Sequence, residues 1–79
     1  MKISLKIPKR ERQYIYIHTP FIRLDAALKL SNIVGSGGMA KEIILAKAVK
    51  VNHAICIQRG RKLREGDTFE FEGMLYEVK

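Results

Sequence analysis

The hydrophobic period of this chain changes twice, from two to about 3.6 and back again, and that order restricts the fold more than any other feature. Ile3, Leu5 and Ile7 alternate with Lys2, Ser4 and Lys6, and Tyr14-Ile15-Tyr16-Ile17-His18 alternates again, the pattern of half-buried strands. Pro8-Lys9-Arg10-Glu11-Arg12 between them reads as a loop, so residues 1–18 are expected to form an N-terminal hairpin or pair of extended segments. Leu24, Ala27, Leu28 and Ser31 then share one helical face with Val34 close by, while Asp25 and Lys29 pair on another. That helix is expected to open at Thr19-Pro20 or near Arg23 and to close at Gly35. A second helix should run from a Ser36 N-cap to Lys47, turning Ala40, Ile43 and Ile44 inward.

From Val49 onward the period returns to two. Val49 and Val51, then Ile55 and Ile57, flank a short Asn52-His53 turn. Residues 59–64 read as a polar loop and Glu65-Gly66-Asp67 as a turn. Thr68-Phe69-Glu70-Phe71-Glu72 alternates, Gly73 turns, and Met74-Leu75-Tyr76-Glu77-Val78 closes as a strand. Strands, two adjacent helices, then strands make an α+β domain, with two helices packed on a small, mostly antiparallel sheet. Seventy-nine residues leave room for one domain and no second core.

Charge narrows the function. The formal net charge is +7 and the pI about 9.9, as expected of a nucleic-acid module. Residues 41–64 hold seven basic residues against one acidic, whereas residues 65–79 hold one against five. The basic excess falls on Arg59, Arg61, Lys62 and Arg64, arginine being suited to phosphate by its planar, two-pronged donors. Just upstream, Ser36-Gly37-Gly38-Met39-Ala40-Lys41 reads as a helix N-terminus, whose free N–H groups and partial positive charge suit an anion. Lys41 follows Gly37 by one turn, on the same helix edge. Together these residues point to a polyanion, and structured RNA is the expected one. Lys9, Arg10 and Arg12 form a second basic cluster beside Tyr14 and Tyr16, where base stacking is possible.

Other chemistries fail on context. Gly35-Ser36-Gly37-Gly38-Met39-Ala40 matches the dinucleotide fingerprint superficially, but a helical pattern precedes it where a strand is required. Gly38 is followed by Met39, which excludes a Walker loop. His18, His53 and Cys56 lack the paired spacing of a zinc site, and Cys56, the single cysteine, reads as a small core residue. No nucleophile–base–orienter set is apparent, so no catalysis, metal or cofactor is expected. No apolar run approaches the ~18 residues of a membrane helix. With no signal peptide legible, a cytoplasmic, monomeric protein is expected.

Leu24-Asp25-Ala26-Ala27-Leu28-Lys29, Ser36-x-x-x-Ala40-Lys41, Val49-x-Val51-Asn52 and Gly66-Asp67 resemble the alpha-L RNA-binding motif, the domain named after small-subunit ribosomal protein four. The resemblance covers residues 22–71 as a motif core. The Ser36–Lys41 and 59–63 segments look most like the small stand-alone bacterial YaaA-like members. It implies an RNA surface at the second helix's N-terminal end and the adjoining loop, nominating Ser36, Gly37, Lys41, Arg59, Arg61 and Lys62. It also implies ribosomal RNA or a ribosome assembly intermediate as target. Three positions depart from the pattern. Gly37 stands where many members carry a basic residue. Lys47 stands where a glycine commonly ends the second helix, leaving that end less well capped. His53 replaces the usual turn glycine, so that turn is expected to be strained or of another type. The alternative to RNA binding is an adaptor whose basic face docks an acidic protein, or whose acidic stretch from Glu65 to Glu77 contacts a basic one.

Overall fold

The computed structural model describes residues 12–79; the expected strand at Ile3–Ile7 and the basic residues Lys9 and Arg10 lie outside them. Seven short strands and two helices follow in the order β1 (Arg12–Ile15), β2 (Ile22–Arg23), α1 (Leu24–Leu30), α2 (Gly37–Leu45), β3 (Val49–Val51), β4 (Ala54–Ile55), β5 (Lys62–Leu63), β6 (Thr68–Phe71) and β7 (Met74–Val78). A five-stranded sheet has the order β1-β7-β6-β3-β4, and β2 and β5 form a separate two-stranded ribbon. The large sheet is antiparallel except at one edge, where β1 runs parallel to β7.

The expected inward faces meet in one core. Leu24, Ala27 and Leu28 of α1 and Ala40 and Ile44 of α2 pack with Ile15, Val49, Val51, Leu63, Phe69 and Val78. Phe69 is fully buried, and its ring stacks on Tyr76 at 5.0 Å between centroids. A buried aromatic of this size contributes on the order of 3–5 kcal/mol against truncation to alanine.

Several boundaries differ from the sequence reading. Of the two starts expected for α1, the one near Arg23 is taken: the helix begins at Leu24, because Ile22 and Arg23 are drawn into a ribbon with Leu63 and Lys62. It ends well before Gly35: Asn32 takes the left-handed conformation (φ 65°), donating its N–H to Lys29 O while Ile33 N–H reaches Leu28 O. Asparagine tolerates this conformation, so no glycine is needed.

Helix α2 likewise stops at Leu45, two residues short of Lys47. Lys47 itself adopts φ 65°, with its N–H on Ile44 O (3.0 Å) and Ala48 N–H on Ile43 O (3.1 Å). Both bonds of a Schellman ending are therefore formed. The expected poor capping is replaced by full capping with a strained lysine. The polar loop expected over 59–64 is also part strand: Leu63 is fully buried between Lys62 and Arg64, an alternation too short to register by period. At β3–β4, Asn52 and His53 both have positive φ (49° and 73°), as a type I′ turn demands. Beyond that turn Cys56 is buried and lies just past the end of β4, while Ile55 and Ile57 face solvent.

Lys47 at a position suited to glycine costs about 1 kcal/mol. Lys47→Gly is thus expected to raise the melting temperature by about 4–8 °C while leaving the denaturant m-value unchanged, checked by thermal and urea unfolding.

Candidate nucleic-acid interface

Each helix offers an N-terminus, and the two differ in a way that decides which can hold an anion. At α1 the N-cap is Arg23, whose side chain makes no cap bond. The orphan N–H groups are met by the 59–61 backbone: Leu24 N donates to Arg61 O (2.8 Å) and Asp25 N to Arg59 O (3.1 Å). Asp25 also places a carboxylate in the first turn. This end is closed to anions. At α2, Ser36 caps through its Oγ, which accepts from Met39 N at 3.2 Å, and no acidic residue occupies the first turn. Gly37 and Gly38 leave their N–H groups without a protein acceptor among the described residues and present no side chain to obstruct an incoming oxygen. Lys41 is exposed on the following turn and makes no ion pair among the described residues.

The carbonyls that close α1 also seat the basic loop. Arg59, Arg61, Lys62 and Arg64 are all exposed, and their backbone is bonded to α1 on one side and to β2 on the other. Arg23 joins them: its guanidinium donates to Asp25 Oδ2 (3.3 Å) and lies against Gly60. Arg59 Nε stands 3.7 Å from the same oxygen. One carboxylate thus orients two half-exposed guanidiniums and leaves a surplus positive charge. Such exposed pairs contribute about 1 kcal/mol at most, so their effect is on direction more than stability. Phe21 organises the other flank, with Lys62 Nζ 4.8 Å and the Arg64 guanidinium 5.9 Å from its ring centroid.

A second backbone staple holds the far end of the loop. Asn52 Oδ1 accepts from Thr68 N (3.0 Å), and Asn52 Nδ2 donates to Asp67 Oδ1 (3.2 Å). Asp67 Oδ2 in turn accepts from Arg64 N at 2.8 Å. Asn52 and Asp67 therefore position the cations without being cations.

The nominated residues form two sets. Ser36, Gly37 and Lys41 lie at the start of α2, which follows Val34, bonded to α1's last turn through Leu28 O. Arg59, Arg61, Lys62 and Arg64 gather at α1's first turn. The seven residues of α1, a helix about 10 Å long, and the connection to α2 lie between the two sets along the chain. Arg23 and Phe21 are not among the residues nominated from sequence, since the loop residues they meet, Gly60 for Arg23 and Lys62 and Arg64 for Phe21, lie far along the chain and are brought near by the β2–β5 pairing. The second basic cluster is represented by Arg12, Tyr14 and Tyr16 on β1 and its continuation, at the opposite edge of the large sheet from β4. Among the described residues no group of three or more His, Cys, Asp or Glu is placed to hold a metal, and no helix is long and apolar enough to cross a membrane.

Comparison with known proteins supplies the relatives of this arrangement. The model of the S4 domain family matches residues 15–79. The Bacillus subtilis (strain 168) protein named Probable ribosome maturation protein RlbA is 46% identical over 59 residues, covering 75% of this chain and 83% of its own. The solution structure of YbcJ from E. coli, described as revealing an alfa-L motif involved in RNA-binding, superposes with a TM-score of 0.61 at 26% identity, over 98% of this chain and 96% of that one.

Asn52 makes bonds to two partners from a left-handed backbone that alanine tolerates poorly. Asn52→Ala is expected to cost about 2 kcal/mol, read as a lower urea midpoint, and to expose the 64–67 segment to faster amide exchange.

Proposed function

The chain belongs to the S4 domain family, and on that footing we propose that it is a non-catalytic module binding structured RNA through phosphate contacts. Backbone N–H groups of Gly37 and Gly38, with Lys41, take one phosphate region. Arg23, Arg59, Arg61, Lys62 and Arg64 take another. The observation that carries this reading is the seating of the 59–64 loop by main-chain bonds from Arg59 O and Arg61 O to α1, which leaves its cations exposed, with the Asp25 carboxylate between Arg59 and Arg23. A surface of exposed guanidiniums and amide donors reads phosphate spacing and shape more than base identity. Ribosomal RNA or a ribosome assembly intermediate is the proposed target, supported by the relative named for ribosome maturation. A cytoplasmic, monomeric state belongs to the same proposal.

The form of the adaptor alternative in which the acidic stretch docks a basic protein draws less support. Of the acids between Glu65 and Glu77, Asp67 holds the loop backbone, Glu70 pairs with His53 Nδ1 at 2.8 Å, and Glu77 accepts from Arg12 at 2.7 Å. An acidic docking strip would need those carboxylates free.

If the surface neutralises on the order of four phosphates, log affinity for a ribosomal RNA fragment should fall against log salt with a slope near −3 to −4. Arg61→Glu/Lys62→Glu should weaken binding by about 100-fold or more at moderate salt, measured by filter binding. Unchanged affinity in that variant, or no dependence on salt, contradicts the proposal, and partners that survive nuclease treatment in a pull-down would favour the adaptor.

A further inference from the structure

The outer edge of the sheet carries a row of side chains that neither the core nor the loop site employs. Ile15 and Val78 are paired across β1–β7 and buried, so the alternate residues Arg12, Tyr14 and Tyr16 project to the other face. The ladder continues past β1, with Lys79 N on Ile15 O (2.8 Å) and Ile17 N on Lys79 O (3.2 Å), which holds Tyr16 in line with Tyr14. Both rings are open to solvent, Tyr14 at 45% and Tyr16 at 67%. Lys79 Nζ lies 4.9 Å from the Tyr14 ring centroid. Arg12 and Lys79 share one side-chain carboxylate, Glu77, at 2.7 and 4.0 Å.

We propose that this edge is a second RNA contact, taking unpaired nucleotides by stacking their bases on Tyr14 and Tyr16 while Arg12 and Lys79 meet the phosphates. The proposal rests on the reading that the chain binds RNA. Two residues of strand set the Cα atoms of Tyr14 and Tyr16 about 7 Å apart, and both rings are exposed, so a base can lie against either ring. An apolar protein segment would cover the rings but strand Arg12, Glu77 and Lys79 beside it without water. A single-stranded nucleotide satisfies both the aromatic faces and the cations. Among the described residues β1 is an edge of the large sheet, away from the β2–β5 ribbon that carries the loop, so an unpaired tail of an RNA gripped at the loop is the segment proposed to meet this patch.

The test uses the full chain and two probes, an RNA hairpin with a single-stranded uridine tail and the same hairpin blunt-ended. The wild-type chain is expected to bind the tailed probe about tenfold or more tightly than the blunt one, with quenching of tyrosine fluorescence. Tyr14→Val/Tyr16→Val, which keeps strand-forming residues at exposed positions, should erase the tail advantage and leave blunt-hairpin affinity unchanged. Tyr14→Phe/Tyr16→Phe should retain it. A tail advantage that persists in the valine variant overturns the proposal, as does equal loss for both probes or a change in sedimentation marking this edge as a contact between copies. Absence of binding to either probe by the wild-type chain strikes instead at the RNA-binding reading itself.

Discussion

Two hydrogen bonds at the first turn of α1 tie the basic loop to the helical layer, and the arrangement of the interface follows from them. A helix start has unsatisfied N–H groups, and Arg23 as N-cap provides no side-chain acceptor. The carbonyls of Arg59 and Arg61 fill that need. One contact therefore completes the helix and fixes where the cations emerge. It also makes α1's N-terminus unavailable to an anion and leaves α2's as the open one. The bonds are main-chain to main-chain, so the cationic side chains are not needed to hold the loop and can be directed outward.

The loop's other end is fixed by Asn52 and Asp67, and here the fold accepts local strain. Asn52 and His53 both sit at positive φ, a conformation that costs L-residues roughly 1–2 kcal/mol each. The turn nevertheless sets Asn52 against Thr68 and Asp67, while His53 reaches Glu70, buried on β6. These three side-chain bonds from the two residues offset the backbone cost. Lys47 has no such return in the described contacts: its side chain is exposed and its left-handed backbone serves only to end α2.

Charge is sorted by the same geometry. The acids of the last strands are engaged internally, by His53, Arg12, Lys79 and the loop backbone. Of the basic residues of the loop, Arg59 alone meets a carboxylate among the described ion pairs, Asp25, which it shares with Arg23 of β2. A net positive chain in which Asp25, Asp67, Glu70 and Glu77 are engaged internally presents part of its excess in patches, which strengthens the local field toward a polyanion.

Element type and order were legible from hydrophobic period, because period reports which face of a segment is buried and each buried face here belongs to the one core. The Ser36 cap was legible too, since a cap acts within four residues. What could not be read were features that depend on distant partners. Strand β5 is two residues long and exists because β2 lies beside it. Arg23 and Phe21 enter the interface through that same pairing, and the choice between the two helix N-termini turns on carbonyls contributed from residues 59 and 61. Local preference acts over a few residues and leaves its mark in the sequence. Hydrogen bonds between segments far apart in the chain have no such mark, so which cations meet, and which helix end stays open, was set when the chain closed on itself.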